Sequence, residues 1–189
     1  RSFRRPLWRA ASALRQQQIA FSENAAIGPY LYFKIGGTVS LLVTCNSATQ
    51  LATVMRRAIA GKLPYLVIGG GSNIAFGDGL TRAAVLLVQA GSAAAAPIRL
   101  LNGRSLRVES GVRNQQFLSW CAARGAAGLE FLSGIPGTLG GAAAVNAGAF
   151  GRSMADVLSG ADIIDARGAT RAVGPGYFGF SYRDSRFKL

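Results

Sequence analysis

The sequence predicts an α+β protein built as two small lobes that meet near residue 90. Three observations carry that expectation. A strand–helix–strand pattern in the first half ends on the run Tyr65-Leu66-Val67-Ile68-Gly69-Gly70-Gly71-Ser72-Asn73. A low-complexity run, GSAAAAPI at 91–98, then breaks the pattern. Beyond it the periodicity restarts with an alternating strand, a second helix and a hairpin. With 189 residues the chain suffices for one ordinary domain or two small ones.

Taken in order, residues 1–20 form a basic segment that is rich in Arg and free of acid. A transit peptide has that composition, and so does a frayed N-terminal helix, which is the preferred reading. YFKIGGTVSLLVTC (32–45) reads as two short strands broken at Gly36 and Gly37. Ser47 is placed as the N-cap of a helix over ATQLATVMRRAIAGK, with Leu51, Val54, Met55 and Ala58 on one face and Arg56 and Arg57 off it. Gly61 is read as its C′ residue, and Pro64 prevents resumption. YLVIGG (65–70) follows as a fully buried strand. In IAFGDGLTRAAVLLV a Gly-Asp-Gly turn leads into another strand.

In the second half, SLRVESG alternates Leu106 and Val108 with Arg107 and Glu109, as a half-buried strand does. Asn114 is placed as the cap of QQFLSWCAARG, with Phe117, Leu118, Cys121 and Ala122 as its apolar face and Gly125 closing it. ADIIDARGATRAV reads as a hairpin turning near Arg167 and Gly168.

Composition excludes several functions. There is no histidine, which removes Ser-His-Asp and Cys-His catalysis and most zinc sites. Cys45 and Cys121 lie far apart in apolar contexts and read as buried, reduced thiols; no metal site is expected. No apolar run reaches the roughly 18–20 residues of a membrane span, so no membrane partner is expected. The formal charge of +13 is nearly all Arg, since Lys occurs only at 34, 62 and 188. The basic residues form no stripe interleaved with aromatics. An anionic ligand is therefore preferred over a nucleic-acid partner.

Two Gly-rich stretches remain to be explained. At LVIGGGSN no Lys-Ser/Thr pair follows, which excludes a P-loop. A dinucleotide fingerprint starting at Gly69 would need Gly at position 74, where Ile stands, and a helix after it. A nest is left: consecutive N–H groups turned inward, with Ser72 and Asn73 adding side-chain donors, binding a pyrophosphate without a Lys. The second stretch, GLEFLSGIPGTLGGAAAVNAGAFG (128–151), is too Gly-dense to read as helix, at roughly 1 kcal/mol per glycine. It suits a loop whose backbone approaches a flat ligand closely.

LVIGGGSN, this second stretch, FSYRDSRFK and the upstream YFKIGG together resemble the UDP-N-acetylenolpyruvoylglucosamine reductases (MurB family), in order from about Asn24 to Lys188. The resemblance implies a FAD-binding fold of the vanillyl-alcohol-oxidase (PCMH) type, with lobes at 21–90 and 91–189. It implies a cytoplasmic UDP-N-acetylmuramate dehydrogenase of peptidoglycan and cell-wall synthesis. Noncovalent FAD is reduced by NADPH and passes hydride to the enolpyruvyl group of a UDP-sugar. By similarity Gly69, Gly70, Gly71, Ser72 and Asn73 cradle the FAD pyrophosphate. Ile135, Pro136, Gly137, Thr138, Gly140 and Gly141, with Asn146, Ala147 and Gly148, border the flavin ring and ribityl chain. Arg183 matches the active-site arginine, and Tyr182 beside it either touches substrate or only packs. A guanidinium suits the task because hydride addition beside a carboxylate builds enolate character. The competing role for Arg183 is a structural ion pair with Asp184 or another acid.

Departures from the family pattern are Tyr32 in place of Thr, Phe150 in place of Tyr, and apolar Val145. The family's C-terminal substrate domain does not follow Leu189, so the chain is expected to be a flavin-binding portion that does not complete the reaction by itself. Two other readings stay open: another noncovalent flavin oxidoreductase of the same fold, and a non-catalytic binding module.

Overall fold

A computed structural model describes residues 14–15, 17–89 and 96–188. β1 (Phe21–Ala26) pairs antiparallel with β2 (Thr38–Cys45). α1 (Ala48–Ala60) crosses over to β3 (Tyr65–Ile68), and β4 (Leu80–Val88) inserts in parallel between β2 and β3. The sheet order is β1-β2-β4-β3. Side chains alternate across a strand. Leu41, Val43, Cys45, Ala84 and Leu86 therefore bury on one face with Val54, Met55 and Ala58 of α1. Leu42, Val85 and Leu87 bury on the other with Ile27, Leu31 and Ile68. Covered on both faces, β2 and the second half of β4 read as near-continuous apolar runs. Each large aliphatic buried there contributes on the order of 1.5–3 kcal/mol.

The helix begins as expected: Gln50 N donates to Ser47 Oγ at 3.1 Å. Its end differs. Gly61 keeps a right-handed φ of −82°, and Lys62 takes the left-handed turn at φ 50°. β3 is not fully buried, because it is the edge strand: Leu66 and Val67 are 38% and 40% exposed. YFKI forms no strand. The residues from Tyr32 to Ile35 make a turn and coil, and the strand beside β2 is instead FSENAA at β1, where no apolar alternation announces it.

The second half builds a separate apolar cluster from Ile98, Val112, Phe117, Cys121, Phe131, Leu132, Ala142, Ala147 and Met154. Its elements are the β5–β6 hairpin (Ile98–Asn102, Ser105–Val108), α2 (Asn114–Ala122), α3 (Leu139–Ala144) and the short β7–β8 pair (Gly148–Ala149, Arg152–Ser153). The β9–β10 hairpin (Ala161–Ile164, Thr170–Val173) and α4 (Pro175–Phe178) complete it. In α2, Phe117 and Cys121 are buried as expected, but Ala122 is exposed. Asn114 is not the cap: it is the first helical residue, and Arg113 occupies the cap without a side-chain bond.

The β9–β10 hairpin reaches back to the first sheet. Gly168, left-handed at φ 76°, lies against Arg56, whose Nη1 donates to its carbonyl at 3.0 Å. Ile164 packs on the first cluster, while Asp162 pairs with Arg107 of β6. Cys45 and Cys121 are both buried and free. Most of the predicted 91–98 linker and of the 1–20 segment lies outside the described residues. Among the described residues no helix is long and apolar enough to cross a membrane.

Candidate functional site

At the carboxyl end of β3 the chain runs into the second Gly-rich stretch. A Cβ on Gly69 would collide with Thr138 Oγ1, and one on Gly70 would stand 2.6 Å from Gly137 Cα. Ser72 Oγ donates to Pro136 O at 3.0 Å. Gly71, at φ 62°, is closed in from the other side by Leu31 and the Tyr30 carbonyl, and its own carbonyl accepts from Tyr32 N at 3.0 Å. The three glycines are thus bare because protein packs on each of them. What they leave for a ligand is the N–H row. Among the described residues, Gly70, Gly71, Ser72 and Asn73 donate their N–H groups to no acceptor. The Ser72 hydroxyl proton, expected to face a ligand, is directed to Pro136, whereas Asn73 is exposed.

The facing stretch is partly helical, which corrects the expectation of a continuous loop. Thr138 caps α3, its Oγ1 accepting from Gly141 N at 3.3 Å. Gly140 N donates to Ser110 O at 2.8 Å, and a Cβ there would lie 2.8 Å from Ser110 Cβ. Both amides are engaged within the protein. A Gly-rich helix persists because the contacts that hold it need close backbone approach. Ile135 and Gly137 present their carbonyls to Asn114, which donates from Nδ2 and from its backbone N, each at 3.0 Å.

Asn114 was not foreseen as part of the site. It is 1% exposed, and its Oδ1 has no partner among the described residues. A polar residue before an apolar helical pattern reads as a cap. Only the packing of Ile135–Gly137 over it reveals its other use.

Further along, Ala147 is buried and its N donates to Ala142 O at 2.8 Å. Gly148 pairs with Ser153 and has no room for a side chain beside the Arg152 carbonyl. Asn146 is left-handed at φ 43° and bonds out to Ser181 and Ala155. The Tyr182-Arg183 pair forms a tight turn, with Ser181 and Asp184 exchanging backbone bonds of 3.1 and 3.3 Å and Arg183 at φ 54°. Asp184 pairs with Lys188 at 3.4 Å, and among the described residues Arg183 pairs with no carboxylate. The Arg183 guanidinium lies 5.9 Å from the Tyr182 ring, and that ring is 89% exposed. Arg183 and Tyr182 share no hydrogen bond with the Gly69–Asn73 strand end; they sit on the Asn146 side of the second stretch.

Tyr32, Phe33 and Ile35 form an exposed apolar ledge next to Gly71, with the two rings edge to face at 5.4 Å. At the head of the second stretch, Glu130 accepts from Gly128 N through both oxygens, which holds its carboxyl below the usual range; Arg152 adds to this. Among the described residues no three His, Cys, Asp or Glu groups come together as a metal site.

Residues 39–174 match the FAD binding domain family. The UDP-N-acetylenolpyruvoylglucosamine reductase of Gluconobacter oxydans is 36% identical over 162 residues, which is 86% of this chain and 51% of that protein. The crystal structure of the UDP-N-acetylenolpyruvylglucosamine reductase from Thermus caldophilus is similar with a TM-score of 0.66 at 26% identity, covering 88% of this chain and 56% of that one. The glucooligosaccharide oxidase of Acremonium strictum, with its 6-S-cysteinyl, 8α-N1-histidyl FAD, matches at a TM-score of 0.60 and 13% identity over 88% of this chain and 37% of that one; this likeness is one of fold alone. The chain spans about half the length of the curated relatives it matches.

Proposed function

This chain belongs to the FAD binding domain family, and we propose that it holds FAD noncovalently along the seam between residues 69–73 and 135–141. The fold is the α+β FAD-binding fold of the vanillyl-alcohol-oxidase type. Residues 21–90 and 91–189 are its two lobes in this reading. The observation that carries it is the row of N–H groups from Gly70 to Asn73 that donate to no acceptor among the described residues. That donor set fits a pyrophosphate: successive backbone N–H groups bind an anion without a Lys. Gly137, Thr138 and Ile135 would border the ring system from the facing side.

Bound FAD supplies a two-electron carrier between NADPH and the enolpyruvyl group of UDP-N-acetylglucosamine enolpyruvate. The likeness to the reductases supports that substrate, the product UDP-N-acetylmuramate, and a place in cytoplasmic peptidoglycan synthesis. Within it, Arg183 offers two parallel donors to the substrate oxygens on which negative charge develops. Its planar guanidinium presents paired donors in a fixed fork, so this stabilisation needs no proton to move. Tyr182, exposed beside it, contacts substrate.

Attachment is noncovalent because the chain has no histidine and its thiols are withheld. Burial pushes the Cys45 thiol up to about 12 and raises that of Cys121, so neither presents a thiolate nucleophile. A visible spectrum of the purified chain, taken after FAD addition and desalting, tests the reading. Retained flavin bands with quenched fluorescence are expected, and NADPH should bleach them. A folded chain that leaves the column colourless overturns it.

A further inference from the structure

We infer that Asn146 is a positioning residue for Arg183, and that its amide does not serve as a ligand to the flavin. The carboxamide is committed at both ends. Oδ1 accepts from Ala155 N at 3.0 Å, and Nδ2 donates to Ser181 O at 3.0 Å. Ser181 opens the turn that carries Tyr182 and Arg183 and closes on Asp184. On the far side of the turn, Ser185, 6% exposed, donates from Oγ to Ala144 O at 2.8 Å and accepts from Phe187 N at 3.1 Å. The turn is therefore pinned at both ends onto residues 144 and 146, at the end of α3.

The backbone explains why the residue is an asparagine. Asn146 is left-handed at φ 43°, a conformation that Gly, Asn and Asp adopt most readily. Glycine would fit the backbone but could not reach Ser181. Arg183 is itself left-handed at φ 54°, at the second central position of its turn, where glycine is ordinarily favoured. A conformation of that kind persists only where the surroundings over-determine it. The Asn146 and Ser185 anchors supply that determination, with Lys188 Nζ bonding the Arg183 carbonyl at 2.7 Å. Because α3 starts at Thr138, against Gly69, the same short helix links the Gly70–Gly137 seam to the Arg183 turn.

The inference rests on the role proposed for Arg183, but its test does not require FAD to bind. Asn146→Gly keeps the backbone conformation and removes the amide. Asn146→Asp keeps the acceptor for Ala155 N and removes the donor to Ser181. Amide hydrogen exchange on the apo chain should be about tenfold faster at Ser181 and Asp184 in both variants. Titration with FAD, followed by flavin fluorescence, should give affinities within about twofold of the parent chain, against the tenfold that 1.4 kcal/mol represents. Unchanged exchange at the turn overturns the inference, and so does a fall in FAD affinity of about tenfold or more in Asn146→Gly. Failure of the parent chain to bind FAD would count against the proposed function alone, since the exchange result would stand.

Discussion

Gly70 and Gly137 meet backbone to backbone: a side chain on Gly70 would begin 2.6 Å from the Gly137 Cα. Neither partner has a flexible end that could move aside. Gly70→Ala must therefore separate the two Gly-rich stretches and displace the N–H row beside them. Overpacking of this kind costs about 1–3 kcal/mol. A lowered melting temperature together with weaker flavin retention is expected, both measured on the purified chain. Full retention with unaltered melting would show that the seam is looser than its geometry.

Arg183 should separate stability from chemistry. Its guanidinium pairs with no carboxylate among the described residues, and Asp184 is engaged by Lys188. Arg183→Ala should shift stability by no more than about 0.5 kcal/mol, as exposed substitutions usually do. FAD affinity should hold. Perturbation of the flavin spectrum by the enolpyruvyl UDP-sugar should be lost, and Arg183→Lys should not restore it, because a point charge lacks the paired donors. Restoration by Lys would reduce the role to charge alone.

Acid should loosen the β9–β10 turn before the sheets. The Asp165 carboxylate accepts from Ala169 N and Arg167 N, and these bonds hold its carboxyl below the usual range. A depressed folded pKa contributes stability that is present above the unfolded value and lost as pH falls through the folded one. Protection from exchange at Arg167 and Ala169, taken relative to the intrinsic rate at each pH, should therefore fall as pH drops below the ordinary carboxylate range. In Asp165→Asn that fall should be absent, because the amide does not titrate. An identical acid response in parent and variant would assign the transition to another group.

Thiol chemistry offers a fourth check. With Cys45 raised to about 12 by burial and Cys121 raised in the second cluster, neither thiol should react with a thiol reagent at neutral pH while the chain is folded. Both should react once it is denatured, and the flavin should leave at the same moment. Flavin that stays with the denatured chain would mean a covalent bond.

Much of the architecture is legible from pattern alone. The Ser47 cap and the 51, 54, 55, 58 spacing mark α1, and the arginine-glycine turn marks the last hairpin, because those signals are local. The misreadings share one cause. β1 carries no apolar alternation, since it lies on a sheet edge with three of its six residues exposed in a row. Asn114 looks like a cap until Ile135 and Gly137 are folded over it. The helix at α3 contradicts glycine propensity because Ser110 and Thr138 hold it from outside.

From sequence alone, the two Gly-rich stretches and the Tyr-Arg pair are recognisable in their order, and their resemblance to one family leads to the expectation of a shared site. What each glycine does emerges from the packing around it. Gly69 and Gly70 make room for Thr138 and Gly137, and Gly140 for Ser110, whereas the N–H groups of Gly70 to Asn73 donate to no acceptor among the described residues. The physical reason is that a missing side chain looks the same in sequence whether protein or ligand occupies its place. Contacts between segments more than sixty residues apart, such as Ser72 with Pro136, decide which.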